Sequence, residues 1–492
     1  MKTKSNSYQE LFFYTLINYA GIAIGIFANL FLYPKNKEVV GLYRFVEGIA
    51  YVLYPIFVFG TSQSLINFNP KLNSLLRQQL FVYCLYIILS ICGIFFLGVY
   101  LFSLTPFFKP TETLYISFGI AFCMAIIELL KKKAALAKKL IFPTLCDTLL
   151  PRLALPIVFI LVVTNTVSVQ ESLSLYVLTF VLILFSIALY LGKYFKEIIQ
   201  TNFKKLFTKI SKPDFYSFSL YAFAGSLGTI FAFRLDSIMI PMFLSMEENG
   251  NFSIAISLVS AIAIPATGLF ALYSPIISEY FNANNLTELN IKYKEISIFL
   301  FFIGVLLYGC LFLGIEDLFL LLPTGKSLMQ SVPIILILGI TILINMGTGF
   351  NSEIITYSNK FKFNLIAILI LVLLNVFLNV LFLYYLKLGI ESVAVASLIS
   401  MTVFNLVKLI YIYIKFNLFP FNYKYLLLVI SSTAIVAFVN FIPDTISLLF
   451  NLVAKISIYL LLNLVLTYRL NLVKQYNISL DNFFAKLTKS RN

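Results

Sequence analysis

Apolar runs of eighteen or more residues recur along almost the whole of this 492-residue chain, and that repetition confines it to one fold class. A run of about 20 apolar residues crosses the hydrocarbon core of a bilayer as a single helix. In hydrocarbon every backbone N–H and C=O needs a partner from the protein itself, so segments of this length cross as helices. Only 12% of the residues are charged, about half the share of a soluble domain. The pattern predicts an all-α polytopic membrane protein with about 14 transmembrane helices. They lie near 9–33, 43–67, 79–102, 112–130, 141–163, 173–192, 215–244, 251–278, 296–322, 331–357, 363–386, 390–414, 422–442 and 446–468. The longest connection, Lys193 to Asp214, is too short to hold a soluble domain.

Charge supplies the orientation. With the N-terminus in the cytoplasm, 26 of the 36 Lys and Arg fall on the inner side and six on the outer side. The other four, Arg152, Arg234, Lys408 and Lys455, lie within spans. So strong an asymmetry predicts both termini inside and explains the net charge of +15 without nucleic acid. The run Leu11–Tyr33 is too long for a signal-peptide core and reads as a permanent span. The tail SLDNFFAKLTKS reads as an amphipathic helix on the inner leaflet. The chain has no His, which excludes His relays and His metal sites. Its five Cys lie in or beside apolar segments and read as buried free thiols. Phosphate-loop, nucleophile-elbow and metal-ligand patterns are absent from the sequence, so the reading is no enzyme, no cofactor and no metal.

Charges inside spans are costly, roughly 2.5–3.5 kcal/mol each on insertion scales, and tend to face water or a partner. Arg234 and Asp236 are two apart, about 200° around a helix, so one cavity receives one of them. Arg234 reads either as a cavity residue able to contact a phosphate or as an interfacial Arg snorkelling toward the outer headgroups, and Asp236 as pairing with a neighbouring helix or taking up a cation. Arg44 and Glu47 share a face, either as a local ion pair or as a cavity wall that holds phosphate or exchanges a proton. Pro143, Pro151 and Pro156 are expected to break or bend the helix bearing Asp147 and Arg152. Arg152 is then a cavity residue, and Asp147 has Lys138 or Lys139 within reach. Glu353 reads as a gating or coupling carboxylate or a snorkelling one, Lys408 as structural and Lys455 as a contact to a lipid phosphate or to another helix. Asn375 and Asn379, on one helix face, read as interhelical hydrogen-bonding groups.

The two halves also match. Gly41 and Tyr43 in the second span correspond to Gly250 and Phe252 in the eighth, and Pro55 corresponds to Pro265, at an offset of about 209. Both copies run the same way through the membrane, as in a parallel repeat. With these residues in view, the chain resembles the multidrug/oligosaccharidyl-lipid/polysaccharide exporter superfamily. Within it the likeness is to the polysaccharide transporter branch, the lipid-linked oligosaccharide (O-antigen) flippases. The resemblance rests on Asp236 in RLDSIMIPMFL followed by Gly250-Asn251-Phe252, on Gly41-Leu42-Tyr43, and on Asn375 and Asn379 before a turn where Glu391-Ser392 replaces a common Gly-Ala pair.

That resemblance implies two six-helix lobes in a V plus two C-terminal helices. It divides the chain into an N-lobe at 1–214, a C-lobe at 215–418 and an extra pair with a basic tail at 419–492. The implied function is alternating-access movement of a polyprenyl-pyrophosphate-linked oligosaccharide to the outer leaflet of a bacterial cytoplasmic membrane, for cell-surface polysaccharide such as lipopolysaccharide. On it, Arg44, Arg152 and Arg234 contact phosphate, and Glu47, Asp236 and Glu353 are the coupling or gating candidates. Membrane lipids, H+ or Na+ as coupling ion and a polysaccharide polymerase complex are the expected partners. The alternative is a cation-coupled multidrug exporter of the same superfamily. Such exporters resemble one another in a carboxylate deep in the first span, whereas Leu11–Tyr33 has no charge. Peptidoglycan-precursor flippases carry Arg in that span, which is also missing.

Overall fold

The computed structural model describes residues 21–489 apart from 70–71, 107–109, 138, 140, 194–202, 359, 361 and 444–446. Every element assigned among them is helical. The first part is α1 (Gly21–Lys35), α2 (Lys37–Val58), α3 (Thr61–Phe68), α4 (Ser74–Ser103), α5 (Glu112–Leu136), α6 (Ile141–Val163), α7 (Val169–Gly192), α8 (Lys212–Arg234), α9 (Asp236–Phe243) and α10 (Met246–Val259). There follow α11 (Ile264–Asn282), α12 (Leu286–Leu321), α13 (Gly325–Leu328), α14 (Val332–Gly347), α15 (Asn351–Tyr357), α16 (Lys362–Val380), α17 (Glu391–Phe416), α18 (Tyr423–Asn440), α19 (Leu448–Arg469) and α20 (Lys474–Lys489). Twelve helical segments among the described residues are long and apolar enough to cross a bilayer. The other two predicted spans correspond to α1, whose residues 9–20 lie outside the described part, and to α8 with α9. Helix α16 turns Ile366, Leu369, Leu373 and Phe377 outward, at helical spacing and opposite its buried Asn375 and Asn379. An apolar stripe of that kind belongs against lipid, and the chain is a multi-pass membrane protein.

Several helices depart from the sequence reading. The second span, expected over 43–67, divides into α2 and α3 at Phe59 and Gly60, both at positive φ, and the eighth, expected over 251–278, divides into α10 and α11 around a short 3-10 turn at Ser260–Ala263. The seventh span, expected as one helix over 215–244, is interrupted at Leu235. Its second piece opens on Asp236, where a carboxylate meets the positive end of the new helix. The tenth, expected as one helix over 331–357, breaks at Thr348–Phe350, where Gly349 takes φ +63°. The carbonyls freed there are claimed by tyrosines: Tyr425 donates to Gly347 O at 3.1 Å and Tyr293 to Thr348 O at 3.0 Å. Of the break or bend expected from the three prolines of α6, no break occurs: the helix runs through all of them. Pro143 sits in the first turn, where no intrahelical N–H is due, and Pro151 and Pro156 each lack the N–H of one ladder bond.

The chain forms two compact units, Met1–Ser253 and Ile254–Asn492. In the second, the 36-residue α12 packs along α14, α18 and α19. Helix α20 lies where an amphipathic tail was expected. It is fastened to α12 through Glu295, which accepts from Lys474 at 3.0 Å, Gln475 at 3.2 Å and Lys292 at 3.1 Å.

In the first unit α2 is central, packed on α5, α8 and α9. Its start meets the start of α10 backbone to backbone. A Cβ on Gly41 would stand 1.7 Å from Met246 O, and one on Gly250 would stand 2.1 Å from Lys37 O. The contact is reciprocal at the repeat offset, since Lys37 is to Met246 as Gly41 is to Gly250. Asn249, fully buried, closes it by donating to Gly41 O at 2.7 Å. The duplicated glycines therefore pack against each other, which any side chain prevents. Replacing either Gly41 or Gly250 with Ala is expected to destabilise the protein by about 1–3 kcal/mol through overpacking. Gly93→Ala, with open space around it, is expected to be neutral or slightly stabilising. Thermal unfolding of the purified variants in detergent checks both, and equal effects at the three sites would contradict the contact.

Candidate functional site

A cavity of about 390 Å³ lies within the first unit, in the range of small-molecule sites. Helix α2 provides one wall. Arg44, Glu47, Tyr51 and Tyr54 recur at three- and four-residue steps, so they share one face and all line the space. Helix α5 adds Glu128 and Lys131, α6 adds Asp147 and Arg152, α7 adds Tyr176, and Arg234 enters from the end of α8. Gly48, on α2, lets the α8–α9 junction approach: a Cβ there would lie 3.3 Å from Ser237 and 3.7 Å from Arg234 O.

The charges of this wall are arranged in pairs. Glu47 accepts from Arg44 Nη1 at 2.7 Å on one carboxylate oxygen and from the Tyr176 hydroxyl at 2.5 Å on the other. The Tyr43 ring stands edge-on to Tyr176 at 5.6 Å and donates its hydroxyl to Ser172 Oγ at 2.6 Å. Asp147 pairs with Lys131 at 2.5 Å, and Glu128 with Lys132 at 3.0 Å. All three carboxylates of the cavity are thus engaged. The Arg234 guanidinium lies 4.1 Å over the Tyr51 ring, a cation–π contact that leaves its N–H edge to other ligands. Arg152 packs along α1, where a Cβ on Gly21 would meet its Nη1 at 2.6 Å. Four cations against three anions, with tyrosine rings between them, make a polar, slightly cationic chamber inside an apolar bundle. Such a chamber suits an anion with polar substituents more than a neutral apolar ligand.

The structure therefore brings Arg44, Glu47, Arg152 and Arg234 around one cavity. Asp236 does not line it and is buried at the start of α9. The partner of Asp147 is Lys131, not Lys138 or Lys139: Lys131 comes from within α5, whereas Lys139 follows its end, and Lys138 lies outside the described residues. In the second unit Glu353 sits on α15 and Lys455, partly buried, on α19. Asn379 donates to Asn375 Oδ1 at 3.0 Å, and Asn375 reaches Ser397 on α17 at 3.4 Å. Sequence reasoning missed Tyr176, which holds Glu47 from 129 residues away and carries no local signal. It also missed Tyr51 and Tyr54, although their spacing from Arg44 places them on its face.

No known family model and no curated protein matches the sequence. Solved structures do match the fold. The chain aligns over 93% of its length with 99% of a lipid II flippase MurJ in an inward closed conformation, at TM-score 0.67 and 16% identity. It aligns over 82% with 94% of an inward-facing multidrug resistance MATE family transporter of the MOP superfamily, at TM-score 0.60 and 16% identity. A third match, a MATE protein in complex with MaL6, gives TM-score 0.51 at 14% identity, over 82% of this chain and 96% of that one. The chain shares the fold of these solved structures.

The bonds of Glu47 set a stability expectation. Glu47→Gln leaves the Arg44 charge buried without its counter-ion and is expected to cost about 3–5 kcal/mol. Tyr176→Phe leaves one carboxylate oxygen short of a donor, at about 1–3 kcal/mol. Denaturation of the purified variants in detergent gives the order, and a Tyr176→Phe cost equal to or above that of Glu47→Gln would contradict it.

Proposed function

We propose that this protein is a flippase that carries a polyprenyl-pyrophosphate-linked oligosaccharide from the inner to the outer leaflet of a bacterial cytoplasmic membrane, for cell-surface polysaccharide biosynthesis. The observation that carries the reading is the pair Arg152 and Arg234 on the wall of a tyrosine-lined chamber within a membrane-spanning unit. A diphosphate needs cations where lipid otherwise surrounds it, and a guanidinium matches phosphate oxygens with a planar fork. Tyrosine faces and hydroxyls suit the first sugar. Arg44, committed to Glu47, acts by holding the wall's charge in register and contacts phosphate with its remaining N–H groups.

The wider expectations belong to the same reading. Both termini are cytoplasmic, the lobes divide at 214 and 418, and the lobes alternate access to the site. Outward movement of negative charge gains about 2.3 kcal/mol per charge per 100 mV of inside-negative potential. Asp236 and Glu353 serve coupling or gating, Lys455 a lipid phosphate, and Asn375 with Asn379 the contact between helices. A cation-coupled drug exporter of the same fold is the competing reading. It calls for a free carboxylate facing the cavity, whereas Glu47, Glu128 and Asp147 are all engaged.

A strain lacking the protein is expected to accumulate lipid-linked sugar units on the cytoplasmic face. Complementation with Arg234→Ala is expected to restore about one tenth to one hundredth of export, the loss of a charged hydrogen bond worth about 1.5–3 kcal/mol. Arg234→Lys is expected to fall between the two, keeping the charge and losing the fork. Normal export in the deletion strain rejects the reading, and drug sensitivity in its place favours the exporter.

A further inference from the structure

The second unit holds a buried polar cluster of its own, on α14, α15 and α17. At its centre is Lys408, only 2% exposed and eight residues, about 12 Å, from the end of α17. Its Nζ donates to Ser352 Oγ at 2.7 Å and stands 3.8 Å over the Phe404 ring. An ammonium has three N–H donors, and a buried one with a single hydrogen-bond acceptor is under-coordinated. The amides nearby give it nothing. Asn405 Oδ1 already accepts from Thr348 Oγ1 at 3.0 Å and from Asn351 Nδ2 at 2.8 Å.

The carboxylate next in the chain to Ser352, the acceptor that holds Lys408, is Glu353. Yet no ion pair joins them in this structure; the ammonium bonds the neighbouring residue, Ser352. Ser352 and Glu353 are adjacent on α15, a seven-residue helix that follows the Thr348–Phe350 break. The two side chains leave α15 about 100° apart, so the longer Glu353 side chain together with a turn of α15 about that break is what exchanging one acceptor for the other requires. One turn beyond Glu353, Thr356 and Tyr357 are exposed, so water is near. Other titratable groups on the elements packed here include Tyr293 on α12, bonded to Thr348 O, Tyr273 on α11, stacked on Phe350, and Tyr425 on α18, bonded to Gly347 O. Glu279 and Tyr280 lie on α11, Tyr357 on α15, Lys362 at the start of α16, and Tyr411, Tyr413 and Lys415 on α17.

We propose that Glu353 and Lys408 form a proton-binding site in the second unit. When the Glu353 carboxylate takes up a proton it no longer attracts the ammonium, which rests on Ser352 Oγ as seen here. When the proton leaves to water, the carboxylate draws the Lys408 N–H from Ser352 to itself, and α15 turns with it. The inference rests on the chain being a transporter, whatever its cargo, and names H+ as the coupling ion. An ammonium beside the carboxylate already supplies the positive charge that Na+ would bring, so a metal cation is repelled where a proton is not.

The test is labelling of Glu353 by a hydrophobic carbodiimide, which reacts with protonated carboxyl groups in apolar surroundings. It is followed by peptide mass spectrometry of the full-length protein in nanodiscs from pH 5 to pH 9. Wild type is expected to label at low pH and lose label as pH rises, with no protection by Na+. Lys408→Met removes the positive neighbour that favours the ionised form, so its labelling is expected to persist to a pH higher by about one unit or more. Ser352→Ala frees the ammonium for Glu353 and is expected to shift labelling to lower pH, and it serves if Lys408→Met does not fold. Absence of label at every pH, identical profiles in wild type and Ser352→Ala, or protection by Na+ each overturns the proposal. Because the readout needs no cargo, its failure leaves the flippase reading to the export assay.

Discussion

A charge placed inside a bilayer has to be answered by the protein around it, and this requirement organises the first unit. Glu47 is the pivot. Its two oxygens are taken by an arginine one helical turn away on its own helix and by a tyrosine from α7. That arrangement ties α2 to α7 and fixes the face of α2 toward the cavity. Asp147 and Lys131 do the same between α6 and α5. Once the carboxylates are satisfied in this way, what the chamber has left to offer a ligand is positive charge and aromatic surface. The cationic character therefore comes less from the number of arginines than from the way the acids are used up.

Much of this was legible in the sequence because lipid simplifies the code. Apolar runs gave the helices, the Lys and Arg asymmetry gave an expected orientation, and charges out of place in those runs singled out Arg44, Arg152 and Arg234. What stayed hidden depends on partners distant in the chain. Nothing near Glu47 announces Tyr176, and nothing near Asp147 prefers Lys131 over the lysines that follow α5. The helix breaks were misjudged for a related reason. Proline in α6 is tolerated because the neighbouring ladder bonds carry that helix past it. The break at Leu235 occurs with no proline or glycine at that residue, and the one at Thr348–Phe350 is stabilised by hydroxyls from Tyr293 and Tyr425, on α12 and α18.

The paired glycines show a different kind of legibility. Gly41 and Gly250 were noticed as members of a repeat, with no hint that the copies touch. Their contact uses equivalent atoms in both directions, and it leaves a backbone carbonyl where a Cβ would need to be. A repeat whose two copies meet at the same residues constrains those residues twice, since each is both the approaching and the approached surface. Such positions resist substitution more strongly than the glycines on outer faces, such as Gly93.

The repeat carries packing without carrying chemistry. Advancing 209 residues from Arg44, Glu47, Tyr51 and Tyr54 leads to Ser253, Ile256, Ser260 and Ala263, so the whole cavity face of α2 becomes small or apolar in its copy. The second unit instead places its buried charge on α15 and α17, among amides that satisfy one another. Two similar scaffolds have thus been given different electrostatic contents. In the first, an open chamber lined by paired acids and arginines has volume for a ligand. In the second, Lys408 is enclosed and held by Ser352, with Glu353 next to that serine on α15. The side chains on the two helix faces differ while the Gly41–Gly250 contact joins the segments that carry them.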